Sequence, residues 1–280
     1  MASLTEIAAR CDKVRWSGRH AFIACCVAHD DINPSMSIRE AEDGTILARC
    51  HAGCSQSALV DALGLRGLPR STSFTPVLPV DYTPTQKRAR SLLARSREVD
   101  IDHPYLLRKN VPASGVRLVW GDNPLVPTRL RLKELLLCLP MRDLDRVVWD
   151  CQLITGTGDK AYLFGPRRSG SFFGISGGRN IWICEGFATG ASLRAATGDS
   201  VACALDTGSL SAVAQALTQK YQDREIRIMA DDDPAGLKAA NEVGESYGLP
   251  VHAPDFDCLP REKKDNDYND YTRLHNDGRN

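Results

Sequence analysis

Two short apolar runs, each stopping at an acid, constrain this chain most. Ile181-Trp182-Ile183-Cys184 stops at Glu185, and Ile226-Arg227-Ile228-Met229-Ala230 stops at Asp231, with Asp233 two residues on. Between them lie a helix-like segment from Phe187 to Thr197, a third run from Val201 to Leu205 that ends at Asp206, and a helix-like segment from Leu210 to Tyr221. Strands alternating with helices imply βαβ units and a parallel sheet. Ligands of such sheets sit beyond the carboxyl ends of the strands, so Glu185, Asp231 and Asp233 are expected on one edge. Three carboxylates there repel one another unless a cation lies among them, and hard oxygen donors suit magnesium or manganese. Asp206 is a further metal candidate. Strand-end acids also arise as helix caps, and Asp233, just before Pro234, is expected both to cap a helix and to ligate metal.

A second pattern lies near the amino terminus. Cys26-x2-His29 and Cys50-x3-Cys54 are separated by twenty residues, and an alternating run, Thr45 to Arg49, leads into the second pair. Two close pairs at the turns of a small sheet build a tetrahedral zinc site, and a four-ligand site is structural. Cys25 adjoins Cys26 and His51 adjoins Cys50; Cys26 restores the two-residue gap to His29. A module this small needs the metal to fold. A capping box at Ser3 and Glu6 opens a short helix over 3–10, and Ser55 caps a helix over 55–65.

At 280 residues the chain has room for two or three small domains. Ten cysteines, no basic-then-apolar leader and no membrane-length apolar run point to a reducing, cytoplasmic setting. Net charge is zero but unevenly spread: Lys87 to Lys109 carries seven Lys/Arg against three acids, and Met229 to the end carries twelve acids against six Lys/Arg. A basic segment joined to an acidic one suits an enzyme that holds nucleic acid and handles phosphates. Prolines at 69, 76, 79 and 84 mark an extended linker over 67–86, able to span up to roughly 60 Å at about 3.1 Å per residue. No Gly-x4-Gly-Lys-[Ser/Thr] phosphate loop occurs, so unwinding of duplex would fall to a helicase acting in trans.

At CEGFATGASLRAATG, ADDDPAGLKAA and DNDYNDY the chain resembles the Toprim family, and most of all its phage and plasmid DNA primases. CVAHDDINPSMSI followed by CHAGCS is similar to the zinc ribbon of those primases, which contacts single-stranded template. HPYLLRK, LPMRDLD and GDKAYLFGPRRSGSFF resemble the amino-terminal part of their catalytic core. The resemblance implies a basic surface that holds template or nucleoside triphosphate, carried here by Lys160, Arg167 and Arg142. It also places Asp267 and Asp270 near the acids. Relatives have glycine after Leu-Asp of LPMRDLD where this chain goes straight to Arg146, which alters that turn.

The expected fold is α/β: a β-rich zinc ribbon (1–66), a linker (67–86), a mixed α+β basic subdomain (87–179), a Rossmann-like parallel-sheet Toprim domain (180–260) and an acidic carboxyl-terminal segment (261–280). The expected activity is primer synthesis from nucleoside triphosphates on single-stranded DNA. Glu185 would act as base or metal ligand, and structural zinc and catalytic magnesium or manganese would be the cofactors. A Toprim nuclease and a non-catalytic single-strand-binding recombination or replication factor are the alternatives.

Overall fold

A computed structural model describes residues 4–16, 20–32, 34–41, 44–50, 52–65, 81–131, 133–163, 169–257, 259–262 and 264–277. The chain divides into two compact units, Met1–Leu78 and Pro79–Asn280. Ser3, His51, Arg167 and most of the expected linker lie outside the described residues. Among the described residues no helix is long and apolar enough to cross a membrane.

The first unit is an antiparallel sheet with a short helix at either end of its sequence. After α1 (Leu4–Ala8) come β1 (Arg15–Trp16), β2 (Ala21–Ala24), β3 (Met36–Glu40) and β4 (Ile46–Cys50), paired in that order. Alternation along the strands sends Phe22, Met36 and Ile38 inward, where Ile7, Leu59 and Leu63 meet them. Helix α2 (Gln56–Ala62) starts where the Ser55 hydroxyl accepts the Ala58 N–H at 3.2 Å.

The second unit opens with α3 (Thr83–Ala94), which begins inside the stretch read as linker and stops before Arg97. Pro84 fits its first turn, and Asp81 accepts the Thr83 N–H at 2.9 Å. An antiparallel sheet follows: β5 (Arg97–Glu98), β6 (Arg117–Trp120), β7 (Leu135–Arg142), β8 (Val148–Ile154) and β9 (Lys160–Tyr162), in that spatial order. Between β5 and β6 lies α4 (Pro104–Lys109), capped by buried His103, whose Nδ1 accepts the Tyr105 N–H while Nε2 donates to the Leu135 carbonyl. Strand β7 is apolar nearly throughout because both its faces are covered. Leu136 and Cys138 pack with Ala89 and Leu92 of α3, while Leu137, Leu139 and Met141 face the other way.

The expected parallel strands are present as β11 (Ile181–Cys184), β12 (Ser200–Cys203), β13 (Ile226–Met229) and β14 (Val251–His252). The sheet has one more strand than the sequence reading. β10 (Phe173–Ile175) pairs antiparallel with β12 at the edge, giving the order β10-β12-β11-β13-β14. Helices α6 (Leu210–Lys220) and α7 (Pro234–Tyr247) cover one face through Val213, Ala214, Leu217 and Val243. The other face, with α5 (Phe187–Thr197), packs against Leu137, Leu139 and Met141. The boundary drawn at residue 180 therefore does not separate two cores: β10 precedes it, and one apolar cluster joins both sheets.

The carboxyl-terminal acidic segment forms α8 (Tyr268–Asp277), packed on α5 and α4. Close approach of α5 to its sheet depends on Gly190, where a Cβ would sit 2.3 Å from Cys203 Sγ and 3.3 Å from Cys184 Sγ. Gly190→Ala is expected to cost about 1–3 kcal/mol, read as an earlier urea midpoint. An unchanged midpoint would mean that α5 lifts from the sheet without cost.

Candidate metal centres and the acidic edge

Strand register decides which acids meet. Cys184 lies opposite both Cys203 and Met229, so Glu185, Asp206 and Asp231 emerge at the same end of the sheet. Glu185 is held twice: its carbonyl accepts the Leu205 N–H at 2.8 Å, and Oε2 accepts the Thr207 hydroxyl at 2.5 Å. Leu205 stands at φ +65°, a left-handed backbone unusual for leucine. Its carbonyl accepts the Tyr162 hydroxyl at 2.7 Å, and Gln152 donates to Tyr162 in turn. The antiparallel sheet thus braces the strand end that carries Asp206.

Asp231 sits deepest in the acid group. Its Oδ1 is buried with no hydrogen-bond partner. Burial pushes its carboxyl up to about 7, the charges of Asp267, Glu185 and Asp233 add to the rise, and Lys160 opposes it. A hollow of about 10 Å³ lies between Glu185, Thr207, Asp231 and Gly236 on one side and Leu210, Met229 and Ala240 on the other. Asp233 caps α7: Oδ1 accepts the N–H groups of Ala235 and Gly236 at 3.0 and 2.9 Å, and Oδ2 accepts the Asn266 amide at 2.7 Å.

The tail brings a further acid to this group. Asp267 caps α8 by accepting the Asp270 N–H at 2.8 Å. Burial raises its carboxyl, Lys109 opposes the rise, and Asp270 adds to it. Asp270 is paired with two cations: Lys109 Nζ is 2.9 Å from its Oδ1 and Arg273 is at 3.2 Å, and the same Lys109 lies 3.6 Å from Asp267. Burial would raise the Asp270 carboxyl, but these two cations hold it below the usual range. Asp206 accepts the Ser209 hydroxyl at 2.9 Å.

Of the basic residues singled out, Lys160 acts electrostatically on Asp231 and Asp267. Arg142 does not join them; it lies at the carboxyl end of β7, in a separate groove. Lys109, Thr207, Asn266 and Asn269 were not singled out. Asn269, fully buried, donates to the Lys109 carbonyl at 2.7 Å and to Ser192 Oγ at 2.9 Å, which docks α8. Asn266 and Asn269 stand between the acids of DNDYND, and Lys109 ends HPYLLRK, so the motifs carried the signal.

In the first unit the donor atoms of Cys26, His29, Cys50 and Cys54 all lie within 4.8 Å of one another and could hold a metal ion. Cys26 and Cys54 sulfurs are 3.9 Å apart, and His29 Nδ1 is 3.2 Å from Cys54 Sγ. The group contains Cys26 and not its neighbour Cys25, which is buried. Asp31 braces it, accepting the Cys26 N–H at 2.7 Å and the Ser35 hydroxyl at 2.6 Å, 3.9 Å from His29 Nε2. Burial acts to raise the Cys50 thiol, but hydrogen bonds from the backbone of Cys54 and Ala52 and from Ser35 prevail, and its pKa falls to about 7.

Residues 180–277 match the Toprim domain. Two curated relatives from Escherichia coli, each a DNA primase TraC, are 32% and 31% identical over 143 residues, 44% of this chain. The chain spans 14% and 10% of their lengths. Among solved structures, the primase fragment of bacteriophage T7 primase-helicase protein aligns with 91% of this chain and 97% of that one, at 14% identity and a TM-score of 0.46. The Aquifex aeolicus primase, with its zinc binding and RNA polymerase domains, aligns with 91% of this chain and 79% of that one, at 13% identity and a TM-score of 0.43. The Toprim match and the curated relatives support the resemblance to phage- and plasmid-type primases.

Proposed function

We propose that this chain is a DNA primase, joining nucleoside triphosphates into short RNA primers on single-stranded DNA. The observation that carries the reading is the buried, unpartnered Asp231 oxygen at the strand end that register sets beside Glu185, on which the charges of Asp267, Glu185, Asp233 and Lys160 all act. Hard carboxylate donors fit magnesium or manganese. Such ions, when held there, stabilise the attacking 3′-hydroxyl and the leaving pyrophosphate oxygens. Asp231 is the central ligand because no protein donor satisfies it. Asp233 and Asp267, the caps of α7 and α8, would add further ligands through lone pairs that their cap bonds leave over. Glu185, oriented by Thr207, serves as a further ligand or takes the hydroxyl proton. Asp270 is paired with Lys109 and Arg273, which makes it a positioning group, and Asp206, which accepts the Ser209 hydroxyl, stays a further candidate ligand. Lys160 neutralises triphosphate charge as it builds, and Arg167, in the same segment, is assigned the same task.

The Cys26, His29, Cys50 and Cys54 group suits zinc. Bonds of about 2.3 Å to sulfur in a tetrahedron put two sulfurs about 3.8 Å apart, against 3.9 Å for Cys26 and Cys54. Four protein ligands leave no open position, so this zinc is structural and the unit it holds contacts template. Nucleoside triphosphates, single-stranded DNA and a helicase in trans are the partners, in the cytoplasm of a bacterial cell.

Zinc-loaded protein given single-stranded DNA, magnesium or manganese and labelled nucleoside triphosphates is expected to release short labelled products. An Asp231→Ala/Asp233→Ala protein is expected to lose them by at least a hundredfold, on the scale of removing a metal's charge stabilisation. Template cleavage in place of synthesis would identify a nuclease. Strand binding with neither product would identify a binding module.

A further inference from the structure

Strand β9 lies at the edge of the antiparallel sheet, and alternation puts Lys160 and Tyr162 on one of its faces. Both act on the strand ends of the parallel sheet. The Lys160 charge acts on Asp231 and Asp267, and the Tyr162 hydroxyl donates to the Leu205 carbonyl at 2.7 Å. Buried Gln152 stands opposite Tyr162 in the strand register. Its amide donates to the Tyr162 oxygen at 2.9 Å and to the Leu205 carbonyl at 3.4 Å. One carbonyl of the parallel sheet thus meets two donors from the antiparallel one.

The residue that receives them is strained. Among the described residues five other than glycine have positive φ, and Leu205, at +65°, is the buried one. A left-handed backbone crowds the Cβ of an L-residue, at a cost close to the net worth of one intramolecular hydrogen bond. The Leu205 amide is tied as well, donating to the Glu185 carbonyl at 2.8 Å. From Leu205 the chain runs into Asp206 and then Thr207, whose hydroxyl donates to Glu185 Oε2 at 2.5 Å. The backbone angle at Leu205 therefore sets where Thr207 stands, and Thr207 sets the Glu185 carboxylate. Strain retained beside a site of this kind points to a role in it.

We propose that Tyr162 is a positioning residue for the metal edge. Its hydroxyl holds Leu205 left-handed, and that backbone aims Asp206 and Thr207 and, through Thr207, the Glu185 carboxylate. The phenol acts through Leu205 and not on the ion. Without the hydroxyl, Leu205 loses the bond that offsets its strain. The backbone then relaxes and carries the Thr207 hydroxyl off Glu185. Hydrogen bonds of this outer kind hold a ligand in the orientation that the ion needs. One short strand, β9, thereby supplies both a cation facing the acids and the brace that aims them. This role rests on the primase reading only in taking Glu185 and Asp231 as ligands of a divalent ion.

The test measures manganese binding to the zinc-loaded full chain, without DNA or nucleotide, from the electron paramagnetic resonance signal of the free ion. Asp231→Asn protein is the blank. Tyr162→Phe is expected to bind manganese about tenfold more weakly than the parent. In primer synthesis its half-saturating metal concentration is expected to rise by a similar factor, and the rate at saturating metal to fall by less. A hydroxyl with a merely structural role would lower the urea midpoint in chelator and leave manganese affinity alone. Leu205→Gly isolates the strain, because glycine holds that backbone at no steric cost and does not need the phenol. In that background Tyr162→Phe is expected to weaken manganese binding by about twofold or less. Unchanged manganese affinity in Tyr162→Phe alone would overturn the proposal, and that comparison decides even where Leu205→Gly does not fold. An equal loss in both backgrounds would overturn it too. A protein whose manganese binding falls in Tyr162→Phe, yet makes no primers, sinks the primase reading and leaves this role standing. One that primes, with binding and half-saturating metal unchanged in Tyr162→Phe, does the reverse.

Discussion

Asp231→Asn protein is expected to melt about 4–8 °C higher than the parent at pH 8 without divalent metal. The cause is the carboxyl pushed up to about 7 by burial and by Asp267, Glu185 and Asp233. In the unfolded chain that group loses its proton near the ordinary value of 3.8. The folded state therefore holds a proton that the unfolded state has released, and stability from this group is full below about pH 4 and lost as pH rises through 7. At face value the displacement is worth about 4 kcal/mol. Asp231 is only partly buried, so solvent screening brings the expected effect to about 2 kcal/mol, which gives the shift in Tm stated. Asparagine keeps the shape and removes the charge. Magnesium is expected to raise the Tm of the parent at pH 8 and to leave the variant unmoved, since the variant lacks the central ligand. Scanning fluorimetry at pH 5 and pH 8, with chelator and with magnesium, tests this. Equal melting of the two proteins, or equal gains from magnesium, would remove Asp231 from the centre of the site. The gain in stability should accompany loss of primer synthesis, because repelling carboxylates are what a cation relieves.

Stripping metal from the first unit is expected to unfold it. Its sheet strands are two to five residues long, and its core is one modest cluster around Phe22, Met36 and Ile38. A structural zinc site contributes about 10 kcal/mol or more, which exceeds what a small core supplies. One zinc per chain should appear on chelation. The three ligand cysteines should become reactive together, as the folded arrangement that sheltered them is lost. Protease cuts should then concentrate before Leu78. The compact unit beyond Pro79 has its own cores and should keep its melting transition. Cys54→Ser should reproduce the effect without chelator. Undiminished protease resistance of the first unit in metal-free protein would mean that its apolar core suffices.

Both readings began in local sequence, and it is instructive where that stopped working. β11 and β13 were legible because each is a four-residue, mostly buried run with an acid just beyond its carboxyl end. The Cys and His spacing was legible because ligands brought together by tight turns must be close in sequence. The edge strand β10 was not: three residues, Phe173–Ile175, carry no periodicity. Nor was the docking of α8. It is held by Asn269 to Lys109 and Ser192, and by Asp270 to Lys109, and polar contacts of that kind leave no hydrophobic stripe to read. The resemblance named Asp267 and Asp270 together. Geometry grades them: Lys109 pairs with both, at 3.6 Å from Asp267 and 2.9 Å from Asp270, and Asp270 takes Arg273 as well, while the Asp267 charge acts on Asp231.

The sequence by itself determined the strand-end acids, the four sulfur and imidazole donors and the order of the elements, because each depends on neighbours a few residues away. Tertiary structure alone decided which charges meet. Strand register put Glu185 and Asp231 on one edge, Lys109 drew Asp267 and Asp270 to one cation, and the seam between two sheets sent Arg142 to a separate groove with Arg146. Charges act through space, over distances that chain separation does not encode: Lys109 and Asp270 lie 161 residues apart in the chain and meet at 2.9 Å.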